Sequence, residues 1–170
     1  MPVKTPKELF VILLSDVRHN AEKATQIYEE IGRIAQEPEI KEALEARRFA
    51  SNQILARLDE CFRIIGEKPV KIDNRLHDVF VEDLRKELAM IETPAVKKLF
   101  AVAKIRQLAH LRIGEYVALV EAADLAGYYG VGLLLETCLA DKLAFAERTR
   151  RFLRGVVEAK VAERAMAAAL

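Results

Sequence analysis

The stretch TPKELFVILLSDVRHNAEKATQIYEEIGRIA, residues 5–35, decides the fold. Thr5-Pro6-Lys7-Glu8 reads as a capping box. In such a box a hydroxyl and a carboxylate satisfy each other's backbone N–H groups, and proline takes the first helical position, where its missing N–H costs nothing. From there Phe10, Leu14, Val17, Ala21, Ala24, Tyr28, Ile31 and Ala35 recur at spacings of three and four. A helix this long with one narrow apolar stripe must bury that stripe against helices of similar length, which is the requirement of a bundle.

Working outward, Gln36-Glu37-Pro38 breaks the first helix and Pro38 can open a second. Its stripe is Ile40, Leu44, Arg47, Ser51, Ile54, Leu58, Cys61 and Ile65, with Gly66 as the stop and Lys68-Pro69 beyond it. Arg47 and Ser51 are polar positions on an otherwise apolar face. Residues 67–93 form a long connection in which Asp73 is expected to cap a short helix reaching about Glu92 and carrying Leu76, Val79, Phe80, Leu84 and Leu88. Thr93-Pro94 starts a third long helix that stays apolar through Leu125 and stops at Gly127. The fourth begins near Tyr129 or Gly130 and is expected to reach Leu170, its stripe continuing through Phe145, Phe152 and Val156. No repeat or domain boundary interrupts this order, so one helical domain over residues 1–170 is expected.

Composition narrows the function classes. Hydrophobic residues make up 52% of the 170 and charged residues 31%, too apolar for disorder and too charged for a membrane protein. Lys+Arg (27) nearly balances Asp+Glu (26), so no overall positive field draws in nucleic acid or an anionic membrane. Arg148, Arg150, Arg151 and Arg154 read as a solvated face, and no aromatic stacking residues interleave with them as a single-strand binder would need. No run approaches the roughly 18 apolar residues of a membrane span. Cys61 and Cys138 fall among apolar neighbours without a Cys-x-x-Cys pair, as buried thiols in a reducing cytoplasm would.

No phosphate loop, nucleophile elbow or His-Glu-x-x-His motif is present. His19, His77 and His110 stand apart from one another, and His77 is flanked by Asp73 and Asp78, which read as a cap and a solvent face. A metal pair in a bundle needs four or more carboxylates with histidines facing inward from several helices. Glu22 and Glu60 lie off the stripes, leaving Glu136 and Asp141 as the best inward candidates, too few for two cations.

Several short segments, in this order and at these spacings, resemble the YciF-type, stress-associated ferritin-like family. They are Leu9-Phe10 with Leu13-Leu14-Ser15-Asp16, then Ala21-Glu22-Lys23, Pro38-Glu39-Ile40-Lys41, Arg57-Leu58 and Ile65-Gly66-Glu67-Lys68-Pro69. His110, Ile113 and Tyr116 follow, then Gly127-Tyr128, Leu134-Leu135-Glu136-Thr137 and Lys142. The resemblance implies an all-α, ferritin-like four-helix bundle with a long crossover between the second and third long helices, carrying a short fifth helix. It also implies a dimer or higher homo-oligomer and a di-metal site.

The departures bear on that site. The positions that hold the family's metal ligands carry Ala21, Arg47, Ala50, Ala109, Arg112 and Glu136 here. A one-residue bulge in the first helix could bring Glu22 to the place of Ala21, since π-bulges occur at functional sites. Arg112, if it faces inward, must be paired, because an unpaired buried charge costs several kcal/mol. Glu136 is the expected partner and Asp141 that of Arg47, so an ion-pair network of Arg47, Arg112, Glu136 and Asp141 is expected to fill the former metal cavity. The alternative is that Arg47 and Arg112 snorkel to solvent.

The expected protein is thus a non-catalytic, metal-free and cofactor-free oligomeric scaffold or interaction module, cytoplasmic and possessing no catalytic residues. The competing reading is a di-metal ferroxidase or a peroxide- or oxygen-handling enzyme built on Glu22, Glu136, Asp141 and His110. A nucleic-acid or ribosome binder using the fourth helix is a third. His110 is expected to be a satisfied structural residue, and Tyr116 to pack in the core.

Overall fold

The structure, a computed structural model, describes residues 3–34 and 38–168. Among the described residues five helices follow one another: α1 (Pro6–Ile34), α2 (Pro38–Ile65), α3 (Leu76–Ala89), α4 (Pro94–Leu125) and α5 (Tyr129–Ala168). No strand occurs among the described residues. Ala35, Gln36, Glu37, Ala169 and Leu170 lie outside them, as do the side chains of Ile31, Ile40, Arg47 and Val156.

The helix ends form as their sequences dictate. The Thr5 hydroxyl accepts from the Glu8 N–H at 3.2 Å, and the Glu8 carboxylate accepts from the Thr5 N–H at 3.0 Å, which closes the capping box. Holding two backbone N–H groups, those of Lys4 and Thr5, keeps the Glu8 carboxyl below its usual range. Gly66 (φ 72°) and Gly127 (φ 80°) end α2 and α4 in the left-handed region. Glu67 N–H bonds back to the Phe62 carbonyl and Tyr128 N–H to that of Ala123, the six-to-one bond that such a stop requires. The start of α3 differs from expectation. Arg75, not Asp73, stands at its N-cap without a side-chain cap bond, the Asn74 side-chain oxygen accepts from Leu76 N–H at 2.9 Å in a turn just ahead of it, and α3 ends at Ala89 rather than near Glu92.

The four long helices are arranged so that α1 neighbours α2 and α4, and α5 neighbours α2 and α4. The core shows their directions. One apolar cluster joins the first half of α1 (Phe10, Leu14, Val17), the end of α2 (Leu58, Cys61, Phe62), the end of α4 (Tyr116, Leu119, Ala123) and the start of α5 (Val131, Leu135, Cys138). The other joins Ile27 and Tyr28 of α1, Leu44 of α2, Ile105 and Leu108 of α4, Phe145 of α5, and Leu84 and Leu88 of α3. Hence α2 ends at the pole opposite to the one where α4 begins. Residues 66–93 must run the length of the bundle, which is why a long crossover exists. This is the all-α, ferritin-like arrangement that the sequence predicts.

The crossover is fastened along α1. Ser15 is buried, and its hydroxyl donates to the Val11 carbonyl and accepts from Val70 N–H at 3.0 Å. Asn74 donates to Asp16 at 2.8 Å. α3 then lies against α1 and α4, pinned by Lys23–Asp78 at 3.1 Å and Lys104–Glu87 at 2.5 Å. Cys61 and Cys138 are both fully buried and free. Burial, with Cys138 nearby, pushes the Cys61 thiol up to about 12, so it is a packing group and not a nucleophile.

Candidate functional site: a charged layer at the bundle centre

Among the described residues the two apolar clusters stay separate. Between them, at mid-height, each neighbouring helix turns a polar side chain inward: Asn20 of α1, Ser51 of α2, Arg112 of α4 and Lys142 of α5, all at most 4% exposed. His77, at the first turn of α3, is buried at the edge of the same layer. The spacing explains the placement. On α5 the inward stripe is Val131, Leu135, Cys138, Lys142 and Phe145, alternating four and three, so the lysine takes a core position.

Arg112 is 1% exposed and its guanidinium is held at three points. Nη1 lies 2.5 Å from Glu115 Oε2, Nη2 donates to the Val17 carbonyl at 3.1 Å, and the group sits 5.9 Å from the Tyr116 ring centroid. Asn20 Nδ2 donates to the other Glu115 oxygen at 3.1 Å. Lys142 Nζ approaches the same Tyr116 ring at 5.3 Å, so one aromatic ring has two buried cations near it. Burial raises the Glu115 carboxyl above its usual value, and the adjacent Arg112 offsets only part of that. Among the described residues, Arg112 Nε, Asn20 Oδ1 and both His77 nitrogens have no hydrogen-bond partner.

The predicted site positions separate. Ala21 and Ala109 are buried in the core, Ala50 is half-buried and Arg112 faces fully inward. The Arg47 side chain lies outside the described residues, and with it the expected Arg47–Asp141 contact. Glu136 is exposed, because it stands about 100° around α5 from the inward Leu135. Asp141 is exposed beside inward Lys142 for the same reason, and it pairs with Arg57 of α2 at 2.7 Å. The expected Arg112–Glu136 contact is therefore absent, and Glu115 takes its place. α1 is α-helical throughout its described length, with no bulge at Glu22, which pairs with Arg18 at the surface. His110 is exposed. His77, expected on the short crossover helix beside a cap and a solvent face, is buried.

Glu115, Asn20, His77 and the inward placement of Lys142 are what sequence reading missed. Asn20 follows Val17 by three and precedes Ala24 by four, and His77 precedes Leu84 by seven, so both lie on apolar stripes. That spacing was the available signal. Glu115 gave none, since it is reached only through Arg112 three residues earlier on the same helix.

This donor set does not suit a metal pair. The layer offers one carboxylate against two fixed cations, and among the described residues no three His, Cys, Asp or Glu side chains gather to hold an ion. Among the described residues of the layer, no nucleophile is hydrogen-bonded to a base either. Its chemistry is internal charge compensation: the guanidinium neutralises the carboxylate that the helices bury.

The fold has solved counterparts. The E. coli stress protein YciF superposes with a TM-score of 0.86 at 19% identity, over 92% of this chain and 99% of that one. YcfI from Rhodopseudomonas palustris gives 0.82 at 20% identity, over 87% and 94%. A protein from Xanthomonas campestris pv. campestris gives 0.72 at 21% identity, over 94% and 99%. No curated protein sequence matches the chain. The sequence model of a domain of unknown function, DUF892, matches residues 5–165, and the chain belongs to that family.

Proposed function

We propose that this protein is a metal-free, non-catalytic bundle that works as an oligomeric scaffold or interaction module, in a stress setting like that named for YciF. The observation that carries this reading is the pair of buried side-chain cations, Arg112 and Lys142, at the centre of the bundle. Bundle proteins that bind metal place inward carboxylates on facing helices at such a level. Two fixed positive charges there repel a divalent ion and make it unnecessary for neutralising the layer. YcfI, a structural neighbour, is itself put forward as a structural protein.

The test is direct. After incubation with Fe(II), Mn(II) or Zn(II) and desalting, elemental analysis is expected to find far less than one ion per chain. Retention of a full equivalent of any of them overturns the metal-free reading.

Association is supported by the outer surface of α4 and α5. Leu111, Val117 and Leu125 on α4, and Tyr129, Leu133 and Leu143 on α5, are exposed large apolar residues on helices that pack extensively together. Charge is polarised along the same hairpin. Exposed Glu121, Asp124, Glu136 and Asp141 lie in the half near the Gly127 turn, and exposed Arg148, Arg150, Arg151 and Arg154 lie in the other. A second copy docked antiparallel sets each acidic half against a basic one. Sedimentation is expected to show a dimer or larger species across the micromolar range. The pair Leu133→Asp with Leu143→Asp is expected to give monomers of unchanged helix content. A wild-type chain that sediments as a monomer throughout that range contradicts the scaffold reading.

A further inference from the structure

α3 is the short helix, at 14 residues, and among the described residues it lies against α1 and α4. It contributes Leu84 and Leu88 to the apolar cluster it shares with Ile27, Tyr28, Ile105 and Leu108. At its first turn it buries His77, at 2% exposure, with both ring nitrogens lacking a hydrogen-bond partner among the described residues. A neutral imidazole in that position already forgoes its hydrogen bonds to water. A protonated one would add a cation near Arg112, with Glu115 already committed to Arg112 and Asn20.

We propose that His77 is an acid-sensitive latch: protonation of its ring releases α3 from α1 and α4 and bares the apolar strip beneath it.

The charges around the ring fix the direction. From α4 the Arg112 guanidinium opposes its protonation. From α1, His19 opposes it and Asp16 favours it, and on α3 itself Asp78 favours it. Both acids are already engaged, Asp16 by Asn74 and Asp78 by Lys23. Burial, then Arg112, bring the His77 pKa down to about 4 in the docked state. With α3 released the ring returns to its ordinary value near ~6.5. Released α3 therefore binds the proton more tightly, and docking weakens as pH falls through the interval between the two values. Each pH unit in that window costs about tenfold in the docking equilibrium. Docking is intact above the window and has lost its full increment below it. Glu115 acts in the opposite sense: burial raises its pKa, so the closed bundle favours its protonated form.

The release has a defined geometry. The strap remains fastened to α1 through Val70–Ser15 and Asn74–Asp16, immediately before α3. α3 can swing on that anchor and on residues 90–93 while the four long helices keep their packing. The molecule then has a closed form at neutral pH and, in acid, a form that offers an apolar groove.

Hydrogen exchange on the full-length chain tests this, read as protection factors corrected for the intrinsic pH dependence of exchange. Between pH 7 and pH 4.5, protection of Leu76–Ala89 is expected to fall about 100-fold relative to residues 129–146 of α5. In His77→Leu, which cannot titrate and no longer buries unpaired nitrogens, that ratio is expected to stay flat. Glu115 is intact in the variant, so the difference between the two proteins isolates His77. His77→Gln serves as a second non-titrating variant if the leucine protein does not fold. A wild-type ratio that does not change with pH, or a variant that loses protection as steeply as the wild type, overturns the proposal.

Discussion

Glu115→Ala is expected to destabilise the bundle by about 3–5 kcal/mol, because it leaves the Arg112 guanidinium buried at mid-core without its counter-ion. For a chain of this size that is a fall in Tm of roughly 10 °C or more. The loss is not the strength of the ion pair itself. Arg112 is 1% exposed and its remaining contacts are one carbonyl and an aromatic ring, neither of which neutralises it. Asn20 loses its acceptor in the same step. The double variant Arg112→Met with Glu115→Leu removes both charges and fills similar volume, and it is expected to lie within about 1 kcal/mol of the wild type or above it. Urea unfolding of the wild type, the single variants and the double variant closes the cycle, with equal m-values as the check on two-state behaviour. A Glu115→Ala cost below about 1 kcal/mol, the range of exposed pairs, would show that Arg112 reaches water.

That ion pair also marks where sequence reading stopped. The helices, their order, both glycine stops and the crossover were legible, because spacing and capping are local properties. Arg112 was legible as a residue that must pair if it turns inward. Its partner was not. Choosing between Glu136 and Glu115 requires the rotation of α5 to within less than one residue, and a stripe that alternates threes and fours leaves that open. The same one-residue ambiguity hid Lys142, whose neighbour Asp141 looked equally able to face inward. His77 was misjudged for a different reason. The sequence puts it on a short crossover helix beside a cap and a solvent face, and nothing in that spacing tells that the first turn reaches the level of the charged layer. Asp73, Asn74 and Arg75 are adjacent, and only the backbone path sets Arg75 at the cap and Asn74 in the turn before it.

The charged layer leaves the core as two apolar clusters, and core truncations at the two poles test whether they act as one. Phe10 is fully buried at one pole, its ring 5.4 Å from that of Tyr128, which Lys7 in turn covers at 5.6 Å. Phe10→Ala forfeits the transfer energy of a buried ring and its aromatic contact and leaves a cavity, an expected loss of about 3–5 kcal/mol. Leu108, 1% exposed in the other cluster, is expected to cost about 2–5 kcal/mol as Leu108→Ala. Because α1, α2, α4 and α5 each run through both clusters without a break, both variants are expected to lower the single unfolding transition without splitting it. Amide exchange should then lose protection at both poles in either variant. If Phe10→Ala instead frees the residues around Leu14 and Leu135 while Ile105 and Leu108 keep wild-type protection, the Arg112–Glu115 layer separates two cooperative units, and the helices crossing it are too compliant to couple them.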